Sequence, residues 1–171
     1  MWMMTVMRQY LPIYEPENLI IGFTYVYKID VIILELSAER SMVKYINVRS
    51  KSRNELVDIT EMVQEEVKAA GITKGVCYLY VPHTTAGIAI NEGADPSVQR
   101  DIINALNRLV PHEMNYSHRE GNADAHIKAA IIGSSSNVII EEGKLLLGTW
   151  QSIFFCEFDG PRHRRIAIKF I

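Results

Sequence analysis

Three histidines, a few carboxylates and a scatter of hydroxyls and arginines carry most of the chemistry this sequence offers. Between Val81 and Asp101 the chain reads VPHTTAGIAINEGADPSVQRD. Short apolar runs there deliver His83, Thr84 and Thr85 to one turn, and Asn91 and Glu92 to another. Side chains gathered at the ends of hydrophobic elements are where a rigid scaffold presents a site. His83, His118 and His126 are three imidazoles, and three neutral histidines with a water make a catalytic zinc arrangement. No HExxH-type spacing is present, so hydrogen-bonded loop histidines at unrelated positions are the plain alternative. Glu92, Asp95 and Asp101 are the nearby acids, able to orient a histidine, act as general base or hold a hard cation such as Mg²⁺. Asp95 before Pro96 reads first as a helix cap. Glu92, at a strand end next to Gly93, has no such structural role, and Asp101 stands between the two readings.

Further groups suit a phosphate or a flat ring. Thr84, Thr85, Gly87 and the Gly133-Ser-Ser-Ser run offer hydroxyls and backbone N–H groups, without a Walker or dinucleotide pattern. Arg162, Arg164 and Arg165 cluster after a tight turn, either as a phosphate clamp or as a solvated edge-strand charge run. Trp150 and Gln151 offer a stacking face and an amide for a heteroaromatic ring, although a core tryptophan fits equally. His112 and His163 lack apolar context and read as surface residues. With no GxSxG elbow or Ser-His-Asp order, covalent hydrolase chemistry is disfavoured. Cys77 and Cys156 sit in apolar runs and read as buried reduced thiols, fitting a reducing cytoplasm.

The elements that must position these groups are mostly strands. Residues 42–50 read as a strand covered on both faces. Thr60 is a suitable N-cap for a helix to Ala70, with Val63, Val67 and Ala70 inward and Gly71 as the stop. Gly75–Val81 is a buried strand that Pro82 ends, placing His83 at its tip. Gly87–Asn91 is the next strand. Asp95 and Pro96 open a helix whose core stripe is Val98, Ile102, Ala105, Leu106 and Leu109. Residues 111–121 form a polar loop, and Asn122 caps a third, short helix, closed by Gly133, that carries His126. The remainder is extended, with turns at Glu142-Gly143 and Asp159-Gly160-Pro161 and a break near Gly148. Strands with three inserted helices predict an α+β, β-rich antiparallel sandwich.

At 171 residues the chain fits a single domain with a proper core. Its 48% hydrophobic and 22% charged content excludes wholesale disorder. A formal net charge of -2 supplies no global basic field for nucleic acid. Residues 19–36 are apolar, but Lys28 and Asp30 interrupt them, which is costly in a bilayer core. No membrane span and no secretory signal is therefore expected, and the location expected is cytoplasmic. Residues 1–41 read as one or two extra strands or as an appended segment. Met42 is a second plausible translation start, which the intact mass of natively expressed protein decides.

Several motifs in order make the resemblance specific: His83-Thr-Thr-Ala, Asn91-Glu92, Asp95-Pro96, Asp101, Asn115-Tyr116-x-His118, Ala125-His126-Ile-Lys, Gly148-Thr-Trp-Gln151, and Glu157 with Arg164-Arg165. Together they resemble the YjbQ family (UPF0047), often described as secondary thiamine-phosphate synthases, over about residues 42–171. The resemblance implies a jelly-roll-like sandwich with outer helices, assembled as a homotrimer. It also implies a pocket near a subunit boundary, where His83, His118 and His126 hold a divalent metal, zinc or magnesium. The implied reaction joins hydroxymethylpyrimidine diphosphate to a thiazole phosphate and releases pyrophosphate. In it His83, Glu92 and Asp101 are catalytic, while Thr84, Thr85, Trp150, Gln151, Arg164 and Arg165 bind the small phosphorylated substrate. The rival expectations are a non-catalytic trimer that binds a metal or small anion, and a metal-dependent phosphohydrolase.

Overall fold

The computed structural model describes residues 42–171; the expectations for residues 1–41 lie outside the described residues. In chain order the elements are β1 (Lys44–Arg49), β2 (Glu55–Asp58), α1 (Thr60–Ala69), β3 (Gly75–Tyr80), β4 (Ala86–Glu92), α2 (Pro96–Leu109), α3 (Ala123–Ile132), β5 (Ser135–Glu141), β6 (Lys144–Leu145), β7 (Gln151–Glu157) and β8 (His163–Phe170). All strand pairs described are antiparallel. They make a five-stranded sheet in the order β1-β8-β3-β5-β6 and a three-stranded sheet in the order β2-β7-β4. The expected β-rich α+β sandwich is what forms.

Alternation along the strands builds the core between the sheets. Val48, Leu79, Ile166 and Ile168 from the larger sheet meet Ile88, Ile153 and Phe155 from the smaller one. The other face of the smaller sheet is covered by α2 and α3, where Phe154 and Cys156 pack on Leu106, Ala125 and Ala129. β7 is therefore buried on both faces, which is why its sequence runs apolar without alternation. Burial pushes the Cys77 and Cys156 thiols up to about 12, keeping both as inert core groups.

Four local expectations need correction. β1 is covered on one face only, because Tyr45, Asn47 and Arg49 lie on the open side of the larger sheet. The cap of α1 is not the Thr60 side chain. Asp58 accepts from the Thr60 backbone N–H at 2.9 Å and from its hydroxyl at 2.6 Å, while that hydroxyl accepts from Ile153 N–H at 2.8 Å. Asn122 stands at the cap position of α3 but donates to Asp159 at 3.0 Å instead of capping. The buried arc of α2 runs through Ile102, Ile103, Leu106 and Val110, leaving Leu109 70% exposed; the helix turns its other flank to β2 and β7. The cap at Asp95 is as expected, accepting from Ser97 N–H at 2.8 Å.

Two glycines set close approaches that matter below. A Cβ on Gly87 would stand 2.7 Å from the Gly133 carbonyl oxygen, so β4 and the end of α3 touch through backbone. A Cβ on Gly160 would collide with the Ser52 carbonyl oxygen, so the β7–β8 turn lies directly on the segment after β1. No helix among the described residues is long and apolar enough to cross a membrane.

Candidate functional site

His83 is placed by the way β3 ends. β3 pairs with β8 as far as Tyr80 opposite Ala167, and Pro82, which has no N–H, closes the ladder. The backbone N–H of Arg165 on β8 is then left without a strand partner, and it donates to His83 Nε2 at 3.2 Å. A backbone N–H only donates, so Nε2 is the acceptor and the neutral ring carries its proton on Nδ1. Partial burial lowers the His83 pKa, and the Arg164 charge lowers it further, against a smaller opposing effect from Glu157. The neutral tautomer follows from both observations. Its free polar atom is an Nδ1–H donor.

Directly behind His83 lies a buried ion pair. The Arg164 guanidinium donates from Nε to Glu157 Oε2 at 2.7 Å and from NH2 to Oε1 at 2.6 Å, a two-pronged contact. NH2 also donates to the Thr85 hydroxyl at 2.9 Å. Glu157 is fully buried. It additionally accepts from the Ser50 hydroxyl at 3.2 Å and from the backbone N–H groups of Phe158 and Asp159 at 3.1 and 3.0 Å. Burial pushes its carboxyl up, but Arg164 and these donors outweigh that and hold it below the usual carboxylate range. Of the expected ligand groups, Arg164 and Thr85 are thus committed to this pair. Arg165 instead lays its guanidinium 4.9 Å from the centre of the Tyr45 ring on the open sheet face.

A pocket of about 500 Å³ opens beside His83, lined among others by Pro82, Thr84, His126, Ala130 and Ser134. It brings His83, Thr84 and His126 together, from the β3–β4 turn and from α3. The ring of His118, from the loop before α3, stands edge-on to His126 with centroids 5.2 Å apart. Two or three imidazoles and a hydroxyl suit hydrogen bonding to a small polar ligand and proton transfer on it.

As a metal centre the same residues fit poorly. The single lone pair of neutral His83 is spent on the Arg165 N–H. Among the described residues, no group of three or more His, Cys, Asp or Glu side chains is arranged to hold a metal ion.

The other expected residues lie elsewhere in the chain. Glu92 closes β4, paired with Gln151, six residues from Ala86 at the strand's start, about 20 Å along an extended chain. Trp150 is 65% exposed at that far end. Gln151 accepts from Gly148 N–H at 2.8 Å within its own turn. Asp101 is exposed on α2. One chain therefore presents two groups of candidates, with His83, Thr84, His118 and His126 at one end of β4 and Glu92, Trp150 and Gln151 at the other.

Sequence reasoning missed the group that fixes α3, and with it His126. Lys128 and Asp124 are both buried, joined at 2.9 Å one helical turn apart. Lys128 also donates to Asn107 of α2 at 2.8 Å. The other oxygen of Asp124 accepts from Arg53 at 2.9 Å and faces His112 Nδ1 at 3.1 Å. His112 lies at the surface as expected, with its Nδ1 tied to this network. The available signal was an Asp–Lys pair at i, i+4 inside an alanine-rich run, where Ala125 and Ala129 on the buried face leave the pair room to sink.

A family model described as UPF0047 protein YjbQ-like matches residues 44–171. The UPF0047 protein MJ1081 of Methanocaldococcus jannaschii is 52% identical over 132 residues, covering 77% of this chain and 95% of that one. The UPF0047 protein YugU of Bacillus subtilis is 48% identical over 130 residues, covering 75% and 98%. Among solved structures, a YjbQ/UPF0047 protein from Clostridium acetobutylicum matches with a TM-score of 0.73 at 48% identity, covering 75% of this chain and 99% of that one. A YbjQ-like protein of unknown function from Sulfolobus solfataricus matches at 0.72 and 36% identity, covering 75% and 95%.

The Asp124 cluster gives a pH prediction. Burial raises the Asp124 carboxyl, but Lys128, His112 and Arg53 overcome this and bring it to about 2 from an ordinary 3.8. A folded-state pKa below the unfolded one stabilises fully above the unfolded value and is lost as pH falls through the folded value. Asp124→Asn leaves Lys128 buried without its counter-charge and should cost about 3 kcal/mol near neutrality. In urea titrations the gap between wild type and variant should narrow by about 2 kcal/mol between pH 5 and pH 2; a constant gap would rule out Asp124 as the group responsible.

Proposed function

We propose that this chain, which belongs to the UPF0047 YjbQ-like family, binds a small phosphorylated molecule at the His83–His126 pocket and acts on it as a transferase. The reaction proposed is of the thiamine-phosphate synthase kind, joining hydroxymethylpyrimidine diphosphate to a thiazole phosphate with release of pyrophosphate. The observation that supports this reading is the neutral His83 ring, fixed by the Arg165 N–H with its Nδ1–H free, beside a pocket shared with Thr84 and His126. A departing diphosphate gathers negative charge on its oxygens, so fixed donors aimed there are the largest contribution such a site makes. In this reading His83, His126 and Thr84 meet the phosphoryl oxygens. Arg164 and Thr85 act behind them as positioning residues.

Self-association is part of the proposal. Within one chain Glu92, Asp101, Trp150 and Gln151 lie away from the pocket, so their use as proton acceptor and ring platform requires a second copy, the homotrimer that the resemblance implies. Zinc or magnesium at His83, His118 and His126 is a separate proposal, which requires His83 to free a ring nitrogen now taken by the Arg165 N–H or by its own proton. One bound metal per chain, lost in His118→Ala, would establish it. Glu157, the carboxylate behind His83, is committed to Arg164, which favours a second reading, a small-anion binder without turnover.

Both readings are separated by one experiment. Full-length protein is given both substrate halves with Mg²⁺ or Zn²⁺, product is identified by mass, and thermal stabilisation by pyrophosphate is measured in parallel. The transferase reading expects turnover that falls about 100-fold in His83→Gln. Stabilisation without turnover selects the binder. Turnover unchanged in His83→Gln would place the chemistry elsewhere.

A further inference from the structure

A second pocket, of about 590 Å³, lies where β1 ends and β8 begins, lined by Arg49, Ser50, Lys51, Pro161, Arg162 and His163. Four of its six lining side chains are basic and none is acidic. Arg49 and His163 stand directly opposite each other across the β1–β8 ladder. Juxtaposed basic side chains oppose pairing whenever both are charged, yet nothing among the described residues compensates them: the side chains of Arg49, Lys51 and His163 make no ion pair or hydrogen bond there. This concentration of positive charge sits on a chain whose net charge is -2, so it is local placement and not bulk composition.

The pocket is also built before any ligand arrives. Ser50 N–H donates to the Arg162 carbonyl at 3.0 Å, and Arg162 N–H donates back to the Ser50 hydroxyl at 2.8 Å. The Arg162 guanidinium is set by Asp159, donating from Nε to its carbonyl and from NH2 to its carboxylate, each at 2.7 Å. The Gly160 backbone is pressed against Ser52. The Ser50 hydroxyl that closes the pocket floor belongs to the Glu157–Arg164 network. The turns thus fix the Arg162 guanidinium beside the cavity, with the unpaired Arg49 guanidinium and Lys51 ammonium around it, a donor set that matches the many oxygens of phosphate groups.

We propose that this basic pocket is a binding site for the phosphate or diphosphate group of a small molecule, distinct from the His83–His126 pocket. A nucleic acid is the poorer occupant. Its footprint needs an extended basic stripe, and here the patch is bounded by Asp159 and Glu55.

The test is calorimetric titration of full-length protein with inorganic pyrophosphate, in a His83→Gln, His126→Ala background that removes the imidazoles of the other pocket. One saturable site is expected to remain, and adding Arg49→Gln with Lys51→Gln should weaken it at least tenfold. Amide shifts in NMR spectra should concentrate at Ser50, Lys51, Arg162 and His163. Loss of all binding in the background protein, or binding unchanged by the Arg49 and Lys51 substitutions, would overturn the proposal. A single-stranded oligonucleotide that binds these residues more tightly than pyrophosphate would overturn it in favour of nucleic acid. Absence of turnover by the wild type bears on the transferase reading alone and leaves this site standing or falling by the titration.

Discussion

The arrangement of this protein depends on one buried ion pair, Glu157 with Arg164. Glu157 ends β7 of the smaller sheet and Arg164 opens β8 of the larger one, so the pair fastens the two sheets at one end. Removing two charges from water is costly, and their attraction offsets that cost only where the geometry is good and the spare lone pairs are filled. Here the spare lone pairs of Glu157 are filled by Ser50 and two backbone N–H groups, and the Thr85 hydroxyl accepts a further N–H of Arg164. The groups recruited come from the end of β1 and the start of β4. The His83 pocket and the basic pocket both stand against this clamp, one through Thr85 and Arg165, the other through Ser50.

That dependence explains which residues do chemistry and which do not. Arg164 reads from sequence as a ligand-binding arginine, but three of its five N–H donors, on Nε and NH2, are already taken by Glu157 and Thr85. Arg165, its neighbour, points to the opposite sheet face, as the two-residue period of a strand requires. Its backbone contributes more to the pocket than its side chain, through the N–H that sets the tautomer of His83.

Much of the fold was legible in the sequence because the signals were local. Pro82 ending β3, Asp95 with Pro96 opening α2, and the unbroken apolar run of β7 each follow from a few adjacent residues. The candidate site was legible only in part. His83, Thr84 and His126 come together because β4 and α3 meet through Gly87 and Gly133, a tertiary contact with no trace in spacing. Sequence proximity set Glu92 beside His83, whereas the extended strand between them carries it to the far end. The Lys128–Asp124 pair was hidden for a different reason: a charged residue on a helix reads as solvent-facing until the neighbours that bury it are known.

The most direct test of this account is a double-mutant cycle on the clamp, with Glu157→Leu, Arg164→Leu and the double variant compared by equilibrium urea unfolding. Each single change leaves a buried charge unpaired and should cost about 3 kcal/mol or more, while the double should cost little more than either alone. A coupling of about 2 kcal/mol or greater is the predicted result; costs that add to within about 0.5 kcal/mol would contradict the clamp.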